Sequence, residues 1–101
     1  MYVIREILNC RPGKVRNMIE KFRSISIVLR QMGEEPLRVL TDVAGGPFWT
    51  VVAEARVEKM EDFFAIEQRL MANESVRKTM ADYHELVDRG RREIYRIESH
   101  E

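Results

Sequence analysis

Apolar positions along the chain follow two rhythms, one of period two and one of three to four, and their order predicts an architecture. Tyr2 to Cys10 (YVIREILNC) is rich in β-branched residues and is apolar on both faces except at Arg5, Glu6 and Asn9, which predicts a central strand. Arg11-Pro12-Gly13 predicts a turn, with proline fixing one φ and glycine freeing the next. From Lys14 to Met32 the spacing becomes helical: Val15, Met18, Phe22, Ile25, Leu29 and Met32 alternate by threes and fours, and Ile19 widens the stripe. Gly33 is placed to end that helix in a left-handed cap.

Pro36 to Ala44 (PLRVLTDVA) predicts a third strand, returned antiparallel at Gly45-Gly46-Pro47 into Phe48 to Val57 (FWTVVAEARV). In that last run Trp49, Val51, Ala53, Ala55 and Val57 are apolar, and so are Phe48 and Val52 on the alternate positions. A strand with one wet face alternates cleanly, so this pattern predicts a central strand covered on both sides. Met60 to Ala72 predicts a second helix with Phe63, Ile66 and Leu70 on one stripe. Asn73-Glu74-Ser75 interrupts it with capping residues. Val76, Met80, Tyr83 and Val87, spaced by four, three and four, predict a further helical segment closed by Gly90. Arg91 to Ile97 (RREIYRI) predicts the final strand, and Ser99-His100-Glu101 a frayed tail.

The order β-α-β-β-α-β is the ferredoxin-like plan, a four-stranded antiparallel sheet with helices on one face, here a single domain over residues 1–98. Helices on one face leave the other face of two two-sided strands uncovered, so a second copy packed sheet to sheet is expected, a homodimer. Composition adds limits. Seventeen basic and seventeen acidic residues cancel, which gives no general field for nucleic acid or an anionic membrane. The lone Cys10 has no internal disulfide partner, and MYVIREIL enters a strand without the layout of a secretion signal. Together these point to a cytoplasmic protein. No apolar run approaches the ~20 residues that span a bilayer.

The opening YVIRE, followed by Pro12-Gly13-Lys14 leading into a helix, resembles the start of NIPSNAP-type domains. The interrupted second helix around MANESVRK resembles the wider dimeric α+β barrel superfamily, which includes antibiotic-biosynthesis and haem-degrading monooxygenases, muconolactone-isomerase-like enzymes and stress-response barrel proteins. The resemblance implies two sheets closing into a barrel across a dimer and a pocket between each sheet and its helices. It implies architecture rather than a reaction, because one fold hosts many activities. The haem-degrading branch uses an asparagine on the first strand, a tryptophan, and a histidine in the second helical region. Asn9, Trp49 and His84 are the counterparts here, but Trp49 adjoins the hairpin turn and Asn9 ends its strand, so no cofactor is expected.

Among candidate chemical groups His84 stands out, flanking the Val76-Met80-Tyr83-Val87 stripe. It is either a general base, an axial haem ligand or a hydrogen-bond donor to a bound ligand, or a border histidine paired with Asp88 at i+4. Arg5, Glu6 and Glu54 place charge on the two strands expected to be most buried, where an unpaired charge costs several kcal/mol. Pairing of Arg5 or Arg96 with Glu54 or Glu6, fixing the dimer register, is therefore expected; the functional alternative is an acid or base with a shifted pKa in the pocket. Tyr83 and Tyr95 read as core aromatics with a hydroxyl at the edge, and Cys10 lacks the context of a nucleophile. Asp82, His84, Glu85 and Asp88 do not share one helix face, so no metal site is expected. Arg89, Arg91, Arg92 and Arg96 interleave with Glu93 and Glu98, the pattern of a solvated surface.

These readings converge on a small barrel binding an apolar or aromatic molecule between sheet and helices, with Trp49, His84, Glu54, Asn9 and Tyr83 as candidate ligand-binding residues. A cofactor-independent monooxygenase- or isomerase-like enzyme using His84 for proton transfer, and a purely structural interaction module, stand beside it.

Overall fold

In the computed structural model, which describes residues 1–100, the chain runs β1 (Tyr2–Cys10), α1 (Val15–Gln31), β2 (Arg38–Thr41), β3 (Thr50–Val57), α2 (Met60–Ala72), α3 (Glu74–Met80), a short 3-10 turn (Tyr83–Glu85) and β4 (Val87–Arg96). The strands form one antiparallel sheet in the order β2-β3-β1-β4, so the two strands expected at the centre are there. This is the ferredoxin-like plan.

The register sorts the side chains. Ile4, Glu6 and Leu8 of β1 stand opposite Ala55, Ala53 and Val51 of β3 and share the helix-bearing face. On that face α1 lays down Met18, Phe22, Ile25, Val28 and Leu29, all buried, against Val51, Ala53 and Cys10. Each such large side chain taken from water stabilises the fold by about 1.5–3 kcal/mol. The helix ends as its glycine requires. Gly33 has φ +80°, its N–H donates to the carbonyl of Arg30, and Glu34 N–H donates to that of Leu29, which satisfies two otherwise orphaned carbonyls.

Three boundaries differ from expectation. β3 begins at Thr50, not Phe48, because Trp49 sits at φ +60° and breaks the extended run. The reversal is tied down by Thr50, whose N–H donates to Asp42 Oδ1 (2.7 Å) and whose hydroxyl donates to the carbonyl of Pro47 (2.8 Å). β2 is correspondingly shorter than Pro36–Ala44. The helical segment after Asn73 stops at Met80, and Val87 is the first residue of β4, not the last of a helix stripe. Gly90 therefore lies inside a strand opposite Leu8, where a Cβ would stand 2.6 Å from Leu8 Cδ2. Its role is close approach, not helix termination.

Asn73 does cap α3: its Oδ1 accepts from Val76 N–H at 3.1 Å, a contact worth about 1 kcal/mol. The far end of α3 is tied to α1 by Lys21, whose Nζ donates to Asp82 Oδ1 and to the carbonyl of Thr79, each at 2.6 Å. The hydrogen bond and charge of Lys21 hold the Asp82 carboxyl below the usual aspartate range. A carboxyl depressed on folding contributes stability that is present above its unfolded pKa and lost as the pH falls through the folded one. The acid limb of the melting temperature, followed from about pH 7 to pH 3, is accordingly expected to be shallower in Asp82→Asn than in the parent.

No helix among the described residues is long and apolar enough to cross a membrane. Residue 101 of the expected tail lies outside the described residues; Ile97 and His100 border a shallow groove on the open face of the sheet.

Candidate functional site

α2 is the element that opens a candidate site. Phe63, Ile66 and Leu70 recur at helical spacing and turn toward the sheet, yet no residue of α2 is buried. The helix stands off, leaving a cleft of about 880 Å³ between itself, α1 and the sheet. Its floor is Leu8 of β1 with Ala53, Ala55 and Val57 of β3, and the two alanines leave the room that larger side chains would fill. Phe22, Ile25 and Leu29 of α1 supply one wall, and Met80 and Tyr83 also border the space.

One polar cluster reaches into this apolar cleft. Glu6 and Arg92 are register partners on β1 and β4, and Arg92 donates from Nε to Glu6 and from Nη2 to Glu67 of α2. Its guanidinium also lies 5.1 Å from the ring centroid of Phe63. Burial pulls the Arg92 guanidinium down, but the hydrogen bonds and charges of Glu67 and Glu6 outweigh it and leave its pKa raised, so it stays protonated. A second, longer bridge at 3.7 Å, Arg69 to Glu34, ties α2 to the segment after α1. Sequence reasoning missed Glu6, Arg92 and Glu67 as a unit. The available signal was Glu6 between Ile4 and Leu8, an acid on an otherwise apolar alternate row.

The opposite sheet face carries ranks across three strands. Ile7, Val52 and Leu40 stand in register as one apolar row, and two residues along, Arg5, Glu54 and Arg38 stand as a charged one. Arg5 Nε donates to Glu54 Oε2 at 2.8 Å, and Arg38 Nη2 meets Oε1 at 2.7 Å, so each oxygen of this buried carboxylate has its own guanidinium. The expected Arg5–Glu54 pair is present. The face is mixed, not continuously apolar as the run from Phe48 suggests, because Arg5, Glu54 and Arg38 share it and Phe48 lies exposed in the loop.

The expected ligand residues are not brought together. Tyr83 borders the cleft, whereas Trp49, His84, Asn9 and Glu54 do not. Asn9 is buried with its Nδ2 donating to Thr50 Oγ1 at 3.0 Å, and Glu54 faces the other side of the sheet. His84 is exposed, edge-on to Tyr83. Its expected partner Asp88 pairs instead with Arg11 at 3.0 Å, because Val87 to Arg96 is a strand and no i+4 spacing exists there. Burial pushes the Cys10 thiol up, which keeps it protonated and unreactive. Among the described residues no group of three His, Cys, Asp or Glu side chains is arranged to hold a metal ion.

No protein-family model and no curated protein matches this chain. Solved structures do. A NIPSNAP family protein of Agrobacterium tumefaciens superposes with a TM-score of 0.82 at 16% identity, over 99% of this chain and 88% of that one. An uncharacterised NIPSNAP domain protein of Burkholderia xenovorans gives 0.78 at 14% identity, over 99% and 97%. An antibiotic-biosynthesis-monooxygenase-like protein of Nitrosomonas europaea gives 0.70 at 17% identity, over 98% and 100%. At such identities the likeness speaks for backbone and not for chemistry. The sheet order, the helices on one face and these superpositions together establish the ferredoxin-like α+β fold shared by NIPSNAP and antibiotic-biosynthesis-monooxygenase-like proteins.

Proposed function

We propose that this protein binds a small apolar or aromatic molecule in the cleft between the sheet and α2. The observation that carries this reading is the stand-off of α2. A thirteen-residue helix with three large apolar side chains aimed at the sheet buries none of its residues, and a cleft of about 880 Å³ lies beneath it. A pocket of that size, mostly apolar with a few converging polar groups, has the character of a ligand site. The test is saturable binding of a neutral apolar reporter, Nile red, by the parent and by Ala55→Phe. Ala55 lies on the floor, so a phenyl ring there occupies the cleft while leaving the core under α1 intact. Affinity is expected to fall about tenfold or more, equivalent to ~1.4 kcal/mol, with the melting temperature unchanged or raised. Equal binding by the two proteins overturns the reading.

A homodimer through the open sheet face accompanies this proposal. The row Ile7-Val52-Leu40 supports it, an apolar stripe whose Leu40 and Val52 are left for a second copy to cover. Sedimentation at micromolar concentration is expected to give twice the chain mass of 12.0 kDa, and Val52→Arg to give the monomer. A monomeric parent protein overturns this part alone.

A further inference from the structure

The chain as a whole is neutral, with seventeen basic and seventeen acidic residues, but the cleft is not. Among the described residues six carboxylates line it against three guanidiniums, and no lysine does. The imbalance reaches the polar cluster set against its apolar walls: a single arginine, Arg92, stands between two carboxylates, Glu6 and Glu67. That trio carries one uncompensated negative charge. The side chains of Glu6 and Glu67 remain about a third exposed, at 34% and 33%, so a bound molecule has access to them. Low-dielectric walls strengthen the interaction of any charge admitted beside them.

Resting on the cleft being a ligand site, we propose that its ligand is an organic amine, an apolar body carrying an ammonium group that takes up the unmatched charge of Glu6 and Glu67. Each of the groups present has a part in this. The apolar floor of Leu8, Ala53 and Ala55 accepts the body of the molecule, and Phe63 presents a ring whose face already attracts the cationic guanidinium of Arg92. A carboxylate or phosphate of the same shape enters a field of its own sign. It must also compete with two glutamates for Arg92, and desolvating it there has no compensating partner.

Three probes with one phenyl ring and one butyl chain separate the possibilities: phenylbutylamine, phenylbutanol and phenylbutanoate, each titrated calorimetrically into the full chain near neutral pH. The amine is expected to bind at least about tenfold more tightly than the carboxylate, with the alcohol between them. Raising salt from about 0.03 M to about 0.3 M is expected to narrow the gap in the parent protein, a readout that needs no variant to fold. Glu67→Gln is expected to narrow it as well, by weakening the amine and not the alcohol. Equal affinity, or a carboxylate preference, overturns this inference while leaving the cleft as a site. Binding by none of the three overturns the cleft reading and this inference with it.

Discussion

Replacing both Arg5 and Arg38 with alanine is expected to lower unfolding stability by about 3–5 kcal/mol, although neither single change costs more than about 1 kcal/mol. The difference follows from geometry. Arg5, Glu54 and Arg38 occupy one rank across β1, β3 and β2, and the side chain of Glu54 is 5% exposed while those of Arg5 and Arg38 are 43% and 68% exposed. The guanidiniums are wet enough to stand alone, but the carboxylate is not. Either arginine by itself keeps one charge-assisted bond on Glu54, and removing both leaves a buried anion without a partner. The two changes should therefore be strongly non-additive in denaturant titrations. Adding Glu54→Leu to the double variant is expected to restore most of the loss, because a hydrophobe of similar volume has no charge to desolvate. Additive single effects would show that the rank does not act as a unit.

Met18→Ala is expected to cost about 2–5 kcal/mol, and Met18→Leu less than about 1.5 kcal/mol. Met18 is wholly buried, on the face of α1 that packs against Val51 and Ala53. Truncating it removes the transfer energy of the lost atoms and leaves a hole that the sheet cannot follow inward. For a domain of this size the loss corresponds to a fall in melting temperature of roughly 4–8 °C per kcal/mol. The comparison belongs at one fixed protein concentration, since association stabilises the folded chain by mass action. A loss below about 1 kcal/mol would mean that the cleft beside the core lets α1 settle into the gap.

Much of the fold was legible because its signals are local. The alternating threes and fours from Val15 to Met32 and the glycine after them name a helix and its end without reference to anything else. The antiparallel sheet follows from where the strand-like runs fall. What failed were features decided by tertiary partners. Phe48-Trp49-Thr50 has strong strand propensity, yet hydrogen bonds from Thr50 to Asp42 and Pro47 hold the loop that turns Trp49 to positive φ. Val76, Met80, Tyr83 and Val87 keep helical spacing, but Val87 is fixed opposite Cys10 in the sheet. The cleft was the least legible part. Glu6 and Arg92 are far apart in sequence, and only the pairing of β1 with β4 makes them neighbours. A one-residue slip would place Glu6 with another partner on the other face.

The expected ligand residues are dispersed for the same reason, with only Tyr83 bordering the cleft. His84 lies in the short 3-10 turn after α3, and Glu54 lies on the sheet face turned away from the cleft, a choice that only the strand register makes. His84 does not border the cleft beneath α2. The apolar floor with its Glu6-Arg92-Glu67 cluster is the site proposed above for a bound molecule.

The most direct test of that assignment is an amide chemical-shift map of the labelled chain titrated with phenylbutanol, a neutral probe that favours neither charge. Saturable shifts are expected to gather at Leu8, Ala53, Ala55, Ile66 and Leu70, on both sides of the cleft. Shifts gathered instead at Ile7, Leu40 and Val52 on the open face, or none at saturating probe, would contradict it.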